Sequence, residues 1–599
     1  MHRRRCVTED AARTAAGGVR EELLDPLRRT LEWMLTLRDG RGRILCPEHR
    51  VEHSGKSAGA IVLALELRRL DPRCDRQRWA AVAVEQGRRL VANLEREGTS
   101  PAHTFRPGRH DPFNCSNSVI DGGAASDALA QLAGDLAQEL DAEDRESFAA
   151  AALLHARTYL RYAALDKGVP AQRAWGLTGL AAAWALEPDE VLEAAALEAV
   201  GLLERIQHGD GSYPYHPSAW GAEHPGASDV SAYYQSRVTA FLLHALERLG
   251  RAPSDAAFRA PLERGLAFLS ALVGPDGIKC GLVEAKPWYW GATYEVASHP
   301  FDAFALARGW RHFGGEELAA AAVASFRSWA RHLGADGALA SHRPGPGRGR
   351  SYQCPLFWAG HAMWMARAVE DLEAILAGPA VQAGADECVR VRHFPDASLA
   401  RLEDGAVVAW VRGRRPGVSV LHGSPHGAGL LRVVRRADGS ELLERCRLGG
   451  RQEAEWSGRC GGPAPLRGWR AGRSELGFSL WLARVHLRAG RPLQALAAPW
   501  RVLLRGVGAF AHPRVSSAFA LDPSMEVGAD VVTVSGPLAW RDGSAVAGSR
   551  VERRYTVGGP GLVVSDRLEA CGAAREVAYH APARAGALEE ADAVRYRLS

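Results

Sequence analysis

Lysine is almost missing from this chain: of 74 basic residues only four are lysines, Lys56, Lys167, Lys279 and Lys286. Arginine in that excess, beside so much alanine and glycine, reads as compositional bias and not as a phosphate-binding footprint. Past the opening "HRRR" no run of like charge exceeds a few residues, and the net charge is only +5, so a nucleic-acid partner is not expected. Paired cysteines are lacking as well. The ten cysteines stand singly with no CxxC, which argues against a structural zinc site and a disulfide framework. Histidines in metal-ligand spacing, HExxH, GxSxG and a strand-borne GxGxxG are all absent, so neither a metal nor a cofactor is expected. Long apolar runs are absent too: none approaches the roughly 18 residues of a membrane span, and no apolar stretch follows the basic start. The expectation is a soluble, cytoplasmic protein without a membrane partner; an upstream start codon would change that to secretion. The oligomeric state is left open.

What is present points to two large domains. The length of 599 residues with 47% hydrophobic and 24% charged side chains allows one sizeable core and a second. From about residue 20 to 378, apolar residues recur at spacings of 3 and 4, as in "DPLRRTLEWMLTLRD", "SAGAIVLALELRRL", "RQRWAAVAVEQGRRLVANLERE" and "GHAMWMARAVEDLEAIL", the period of amphipathic helices. Asp-Gly corners recur between them at Asp39, Asp210, Asp276 and Asp336. The last three are 66 and 60 residues apart, room for two helices and two loops, and Asp-Gly suits the positive φ of a tight turn. Stacked hairpins of this kind predict an incomplete (α/α) toroid of about six hairpins over residues 1–380. After about residue 385 short Val- and aromatic-rich runs with frequent turn signals, such as "ARLEDGAVVAWVRG" and "DVVTVSGPLAWRDG", predict an antiparallel β-sandwich over 386–599.

Three stretches carry candidate chemistry. In "SDVSAYYQSRVTAFLLHALERLG" (228–250), with Ser228 or Asp229 as N-cap, Val238, Phe241, Leu242, Ala245 and Leu249 form the buried stripe. Tyr233, Tyr234 and Arg237 then share one turn at the helix mouth. The plainer reading makes the phenols boundary residues and Arg237 a solvated charge. In "RHDPFNCSNSVIDGGAASDALAQL" (109–132), Asn117 falls in the first turn of a helix with Asn114 just ahead; a simple N-cap is the plainer reading. In "KPWYWGATYEVASHPFDAFALARGW" (286–310), Pro300 fits N1 and puts His299 at the cap, where the positive helix end favours neutral imidazole. Trp288, Trp290 and Tyr294 offer flat faces of the kind that stack on sugars. His216, in the loop after Asp210, and His361, on a helix with Trp358 and Trp364, are further cavity candidates, His361 reading best as a packed histidine. "VEHSGKS" (51–57) is rejected as a phosphate loop, since Arg50 stands where its first glycine is needed.

With these residues in place the chain resembles the heparinase II/III-like polysaccharide lyases, which join an α/α toroid to a C-terminal β-sandwich. "DGSYPYHP" with "SAYYQSRVTAFLLHALERL" is similar to that group's Asp-Gly loop and tyrosine-bearing helix, and "SNSVIDGGAASDAL" to the helix opening with its carboxylate-binding asparagine. The resemblance implies Asn117 as carboxylate binder, Tyr234 as catalytic tyrosine, His299 as the later histidine, and an acidic polysaccharide as substrate. Two departures stand out: Ser118 and Gln235 occupy positions where the group often has histidine. Cleavage of a uronate by β-elimination needs the carboxylate neutralised, a base for the C5 proton and an acid for O4. Asn117, Asn114 and Arg237 would serve the first need, and Tyr234 with His299 the others; Tyr233, His216, His361 and the loop aromatics would bind sugar. Other readings remain: a uronate C5-epimerase, an α/α-toroid glycoside hydrolase using two of Asp210, Asp229, Glu284 and Glu295, and a non-catalytic glycan-binding protein.

Overall fold

A computed structural model describes residues 2–47, 52–96, 103–105, 120–166, 168–214, 230–280, 298–339, 355–378, 390–414, 427–444, 453–460, short pieces of 480–497, 514–540, 543–558, 561–582, 586–590 and 593–599. The helical part comprises, in chain order, α1 (His2–Thr36), α2 (Ser54–Leu70), α3 (Arg76–Ala92), a small ribbon of β1 (Leu94–Arg96) and β2 (His103–Phe105), α4 (Ile120–Asp135), α5 (Ala142–His155), which runs on through a π-helical turn into α6 (Arg161–Asp166), α7 (Pro170–Leu186), α8 (Glu190–Ile206), α9 (Ala232–Arg248), α10 (Ala256–Leu272), α11 (His299–Phe313), α12 (Glu316–Arg331), α13 (Pro355–Arg367) and α14 (Val369–Ala377). Six of these, α2, α4, α7, α9, α11 and α13, touch one another in a cycle, α13 returning to α2. The others stand outside them. Each inner helix is followed by an outer one, so all six inner helices run the same way and bring their N-termini to one end.

The inner helices are buried on nearly every side, and α2, α4, α7 and α13 are accordingly rich in alanine and glycine and only weakly amphipathic. Their backbones come close: a Cβ on Gly59 of α2 would lie 2.3 Å from the carbonyl oxygen of Gly360 in α13. α9 shows the same burial. Of residues 231–246, only Tyr234 is not buried, and the helix is capped by Ser231, whose hydroxyl accepts the N–H of Tyr234 at 3.1 Å. The cap is therefore Ser231 and not Ser228 or Asp229, which lie outside the described residues.

The recurring corners seat each hairpin on the next outer helix. In the last three the aspartate Oδ1 accepts the N–H two residues on (Ser212, Ile278 and Ala338, at 3.0, 3.2 and 3.1 Å), and Gly211, Gly277 and Gly337 take φ of 86°, 79° and 85°. The first corner is shifted. Its positive-φ glycine is Gly42, not Gly40, and Asp39 acts from three residues ahead, accepting from Arg41 and Arg43. A Cβ on Gly211 would meet the backbone oxygen of Arg264 in α10, on Gly277 that of Ala324 in α12, and on Gly337 that of Arg29 in α1, at 2.2, 2.0 and 2.1 Å. The last contact joins the final hairpin to the first helix. Gly337→Ala is expected to cost roughly 2 kcal/mol or more, positive φ and backbone collision combined, whereas Gly250→Ala, at φ 64° with nothing within 4 Å, should cost only about 1. Thermal unfolding of the two variants checks the difference.

The strands form an antiparallel sheet of β3 (Arg390–Phe394), β4 (Leu399–Glu403), β5 (Val407–Arg412), β6 (Gly429–Arg435) and β7 (Glu441–Glu444) in sequential order. The later strands are β8 (Glu455–Cys460), β9 (Arg514–Ser516), β10 (Ser524–Val527), β11 (Val531–Gly536), β12 (Ala539–Trp540), β13 (Ser549–Val557), β14 (Leu562–Cys571), β15 (Ala574–His580), β16 (Gly586–Glu590) and β17 (Ala593–Leu598); a second sheet has the order β10-β11-β13-β14-β17-β16, and a third the order β12-β9-β8-β15. Residues 407–411, "VVAWV", are buried on both faces of the first sheet, so the segment reads as a continuous apolar run. Ala409 and Val411 pack with Val532, Val534 and Tyr555 of the second sheet, the arrangement of a sandwich. Val408 and Trp410 pack with Phe268 and Leu272 of α10 and with Ala232 of α9. Trp410 Nε1 donates to Ala271 O at 2.8 Å and Arg401 Nη1 to Ser270 O at 3.2 Å. Trp410 thus supplies a donor to the Ala271 carbonyl in the last turn of α10, while Ser270 O also accepts the N–H of the cap residue Val273 at 3.1 Å. The sheet therefore sits against the hairpin whose inner helix carries the tyrosine pair.

Candidate functional site

The inside of the helical ring is filled in layers. At the N-terminal end α9 contributes Tyr233, Tyr234 and Arg237. The Arg237 guanidinium is fully buried, its carbon 3.2 Å from the centroid of Tyr233, 4.1 Å from Phe301 of α11 and 5.4 Å from Trp175 of α7. Its Nη1 donates to Tyr233 O at 2.9 Å and to Ser298 Oγ at 3.5 Å. Nε and Nη2 have no hydrogen-bond partner, and no carboxylate among the described residues pairs with it. The solvated-charge reading of Arg237 is thus wrong. A guanidinium tolerates such a place because aromatic faces present negative quadrupoles to it, worth about 2 kcal/mol or more when desolvated. Tyr234 stands on Tyr233 edge to face, centroids 5.5 Å apart, and keeps partial solvent access.

His299 opens α11, with Ser298, not His299, at the cap position and Pro300 next in line. It is fully buried, and neither ring nitrogen finds a hydrogen bond. Burial lowers its pKa, against the opposing pull of Asp302 one turn on, whose Oδ2 lies 3.8 Å from Nδ1. The imidazole is therefore neutral, as the sequence suggested, for a different reason: desolvation. His361 packs its ring 4.8 Å from Phe301, in the aromatic wall. Sequence reasoning missed Lys279 and Asp302, both fully buried, with Nζ–Oδ1 3.0 Å. The signal was there: the chain has four lysines, and two of them, Lys56 and Lys279, are buried at this end of the ring.

Tyr233, Tyr234, Arg237, His299 and His361 thus belong to one cluster. Asn114, Asn117, His216, Trp288, Trp290 and Tyr294 lie outside the described residues, as do Ser118, Asp229, Glu284 and Glu295. The helix that follows Asn117 can still be placed. A Cβ on Gly123 of α4 would lie 2.3 Å from the backbone oxygen of Trp175, whose ring faces Arg237. Gln235 points away from the cluster. Its Oε1 accepts Tyr213 N at 3.1 Å and its Nε2 donates to Gly211 O at 3.0 Å, clamping the Asp-Gly loop onto α9. Asp210 is likewise engaged, accepting from Ser212 N and from Ala397 N of the β3–β4 turn at 2.9 Å.

Below the cluster Trp175, Phe241, Phe301 and Trp364 interlock, with Phe241 4.9 Å from both tryptophans. Deeper still, at the C-terminal end, Asp127 of α4 holds Arg367 Nη1 of α13 at 2.7 Å and His244 Nε2 of α9 at 3.1 Å. Among the described residues no group of three His, Cys, Asp or Glu side chains could hold a metal ion, and no helix is long and apolar enough to cross a membrane.

The sequence matches no family model and no curated protein. Solved structures similar to it include a glycosyl hydrolase family 88 protein from Bacteroides vulgatus (11% identity, 59% of this chain and 99% of that one, TM-score 0.42). A cellobiose 2-epimerase from Spirochaeta thermophila is similar at 12% identity over 60% and 98%, TM-score 0.43. A Paenibacillus xanthan lyase is similar at 10% identity over 94% of this chain and 48% of the lyase, TM-score 0.49. At these identities the likeness is one of fold, and a fold hosts many reactions.

Proposed function

We propose that this chain is an enzyme acting on acidic glycans, a polysaccharide lyase that cleaves beside a uronate by β-elimination. One observation carries the reading: over residues 231–246 of a helix otherwise buried, the single side chain left open to solvent is a phenol, and it rests on a second phenol that covers a buried guanidinium with no carboxylate partner among the described residues.

The chemistry follows from that arrangement. The six inner helices direct the positive ends of their dipoles toward this mouth, with Arg237 buried behind it. The acidic groups described nearby are already paired, Asp302 with Lys279 and Glu52 with Arg89. A uronate carboxylate entering there meets uncompensated positive potential, with Asn117 and Asn114 as the amides that would hold it. Neutralising that carboxylate makes the C5 proton acidic enough to remove. Tyr234, as phenolate, takes the proton; the C5 electrons form the C4–C5 double bond, the C4–O4 bond breaks, and the phenol returns its proton to O4. A free phenol has a pKa of about 10, and a cation one ring away favours its anion. His299, sealed from solvent, acts behind this pair and not on the sugar, so Tyr234 serves as base and acid in turn.

The test is incubation of the purified protein with hyaluronan, chondroitin, heparan and alginate while following the ultraviolet absorbance of the conjugated product. A rise with at least one of them is expected. Exchange of C5 hydrogen with solvent and no absorbance would make it an epimerase, new reducing ends without absorbance a hydrolase, and binding without any product a glycan-binding protein.

A further inference from the structure

Behind the tyrosine pair lies an ion pair that the mechanism above does not use. Lys279 follows the third Asp-Gly corner and is fully buried. Its Nζ donates to Ala232 O at 2.8 Å, to Ser236 Oγ at 3.0 Å and to Asp302 Oδ1 at 3.0 Å. Two of these partners belong to the first turn of α9, on either side of Tyr233 and Tyr234, and the third to the first turn of α11, facing His299. Ser236 passes its own hydroxyl hydrogen to Tyr233 O at 3.0 Å, the oxygen that Arg237 Nη1 also holds. One ammonium thus ties together the two helix starts that carry the phenols and the imidazole.

The corner that bears Lys279 is itself braced from the β-sheet. Arg432 of β6, fully buried on its side chain, donates Nη1 to Ile278 O at 2.8 Å and pairs through Nη2 with Asp276. The path runs from the sheet through the corner to Lys279, and on to the site. A buried ion pair contributes little net stability compared with apolar residues of the same volume, so its presence calls for another use, and fixing register is the best-attested one.

We infer that Lys279 is a positioning residue: it locks the first turns of α9 and α11 in register so that Tyr234 meets the substrate at reacting distance, with Arg432 bracing it from the second domain. The inference rests on the lyase reading for its kinetic consequence, but not for its structural one.

The experiment compares Lys279→Met with the charge-free pair Lys279→Met/Asp302→Leu. Lys279→Met leaves Asp302 buried alone and is expected to lower the Tm; the double variant should recover most of it. Turnover should not recover. In both variants kcat falls about 10²-fold while KM stays within about twofold, the pattern of a misplaced reacting group. Hydrogen exchange supplies a readout independent of activity: amides of 234–240 and 301–305 should lose protection in the double variant while those of α4 and α7 keep it. A double variant with wild-type kcat, or with unchanged protection at 234–240, overturns the inference. If the wild type yields no unsaturated product from any uronan, the lyase reading fails, and the exchange pattern still decides the role of Lys279.

Discussion

Tyr234→Phe is expected to leave the fold intact and to slow release of unsaturated product by about 10²- to 10⁴-fold, the usual worth of one positioned acid or base; in the proposed mechanism one group does both tasks, which favours the upper end. The substitution removes one oxygen. The ring keeps its edge-to-face contact with Tyr233, and the Ser231 cap is made to the backbone N–H of residue 234, so the helix start does not depend on the hydroxyl. Tm should therefore shift by no more than a degree or two, and KM should change little, since in the proposed elimination the hydroxyl acts on the transition state. Tyr233→Phe provides the contrast. Its ring face stays on Arg237, so activity should drop far less. If Tyr234→Phe retains full turnover while Asp229→Ala abolishes it, the two-carboxylate hydrolysis reading replaces elimination.

Much of this was legible in the sequence. The 3-and-4 apolar spacing and the Asp-Gly corners gave the helical hairpins and their period, and the switch to short Val-rich runs gave the sheets. The cluster of Tyr233, Tyr234, Arg237, His299 and His361 came from residues noticed separately. What misled was burial. Periodicity makes α9 look amphipathic, but an inner helix of a ring is enclosed on all sides, so Arg237 is packed among rings instead of solvated and His299 is sealed. The Asp-Gly pair at 39 also misled by two residues, because an aspartate can cap a turn whose glycine comes later, as Asp39 does for Gly42. Lys279 and Asp302 were invisible for a deeper reason. A salt bridge 23 residues apart in sequence leaves no local pattern; only the rarity of lysine hinted at it.

Loss of the Asp127 charge should be the most destabilising change among the inner helices. Asp127 is fully buried where α4, α9 and α13 meet, with Arg367 at 2.7 Å, His244 at 3.1 Å and Arg248 at 3.9 Å. Arg367 continues to Gln131 Oε1 at 2.7 Å, whose amide reaches Glu66 of α2 at 2.9 Å. Four of the six inner helices are thus pinned at the end opposite the mouth. Asp127→Asn preserves shape but leaves Arg367 buried without its counter-ion, an expected cost of about 3 to 5 kcal/mol, readable as a shift in the denaturant midpoint at constant slope. The same cluster gives a signed pH dependence. Burial, opposed by Asp127, pushes the His244 imidazole down to about 4, against roughly 6.5 in the unfolded chain. Between those values the unfolded state binds the extra proton, so stability falls as pH drops from about 6.5 to 4, by a total on the order of 3 kcal/mol. Burial works against ionisation of Asp127, but Arg367 and His244 outweigh it and hold that carboxyl below the usual range. Its contribution, present above about pH 4, therefore begins to fade only below that point. His244→Gln should flatten the slope between pH 6.5 and 4 and leave the fall below pH 4 in place; unfolding midpoints taken at half-unit steps of pH would show it. An unchanged slope in that variant would mean that other groups set the acid sensitivity and that the Asp127 cluster is not where this ring first loosens.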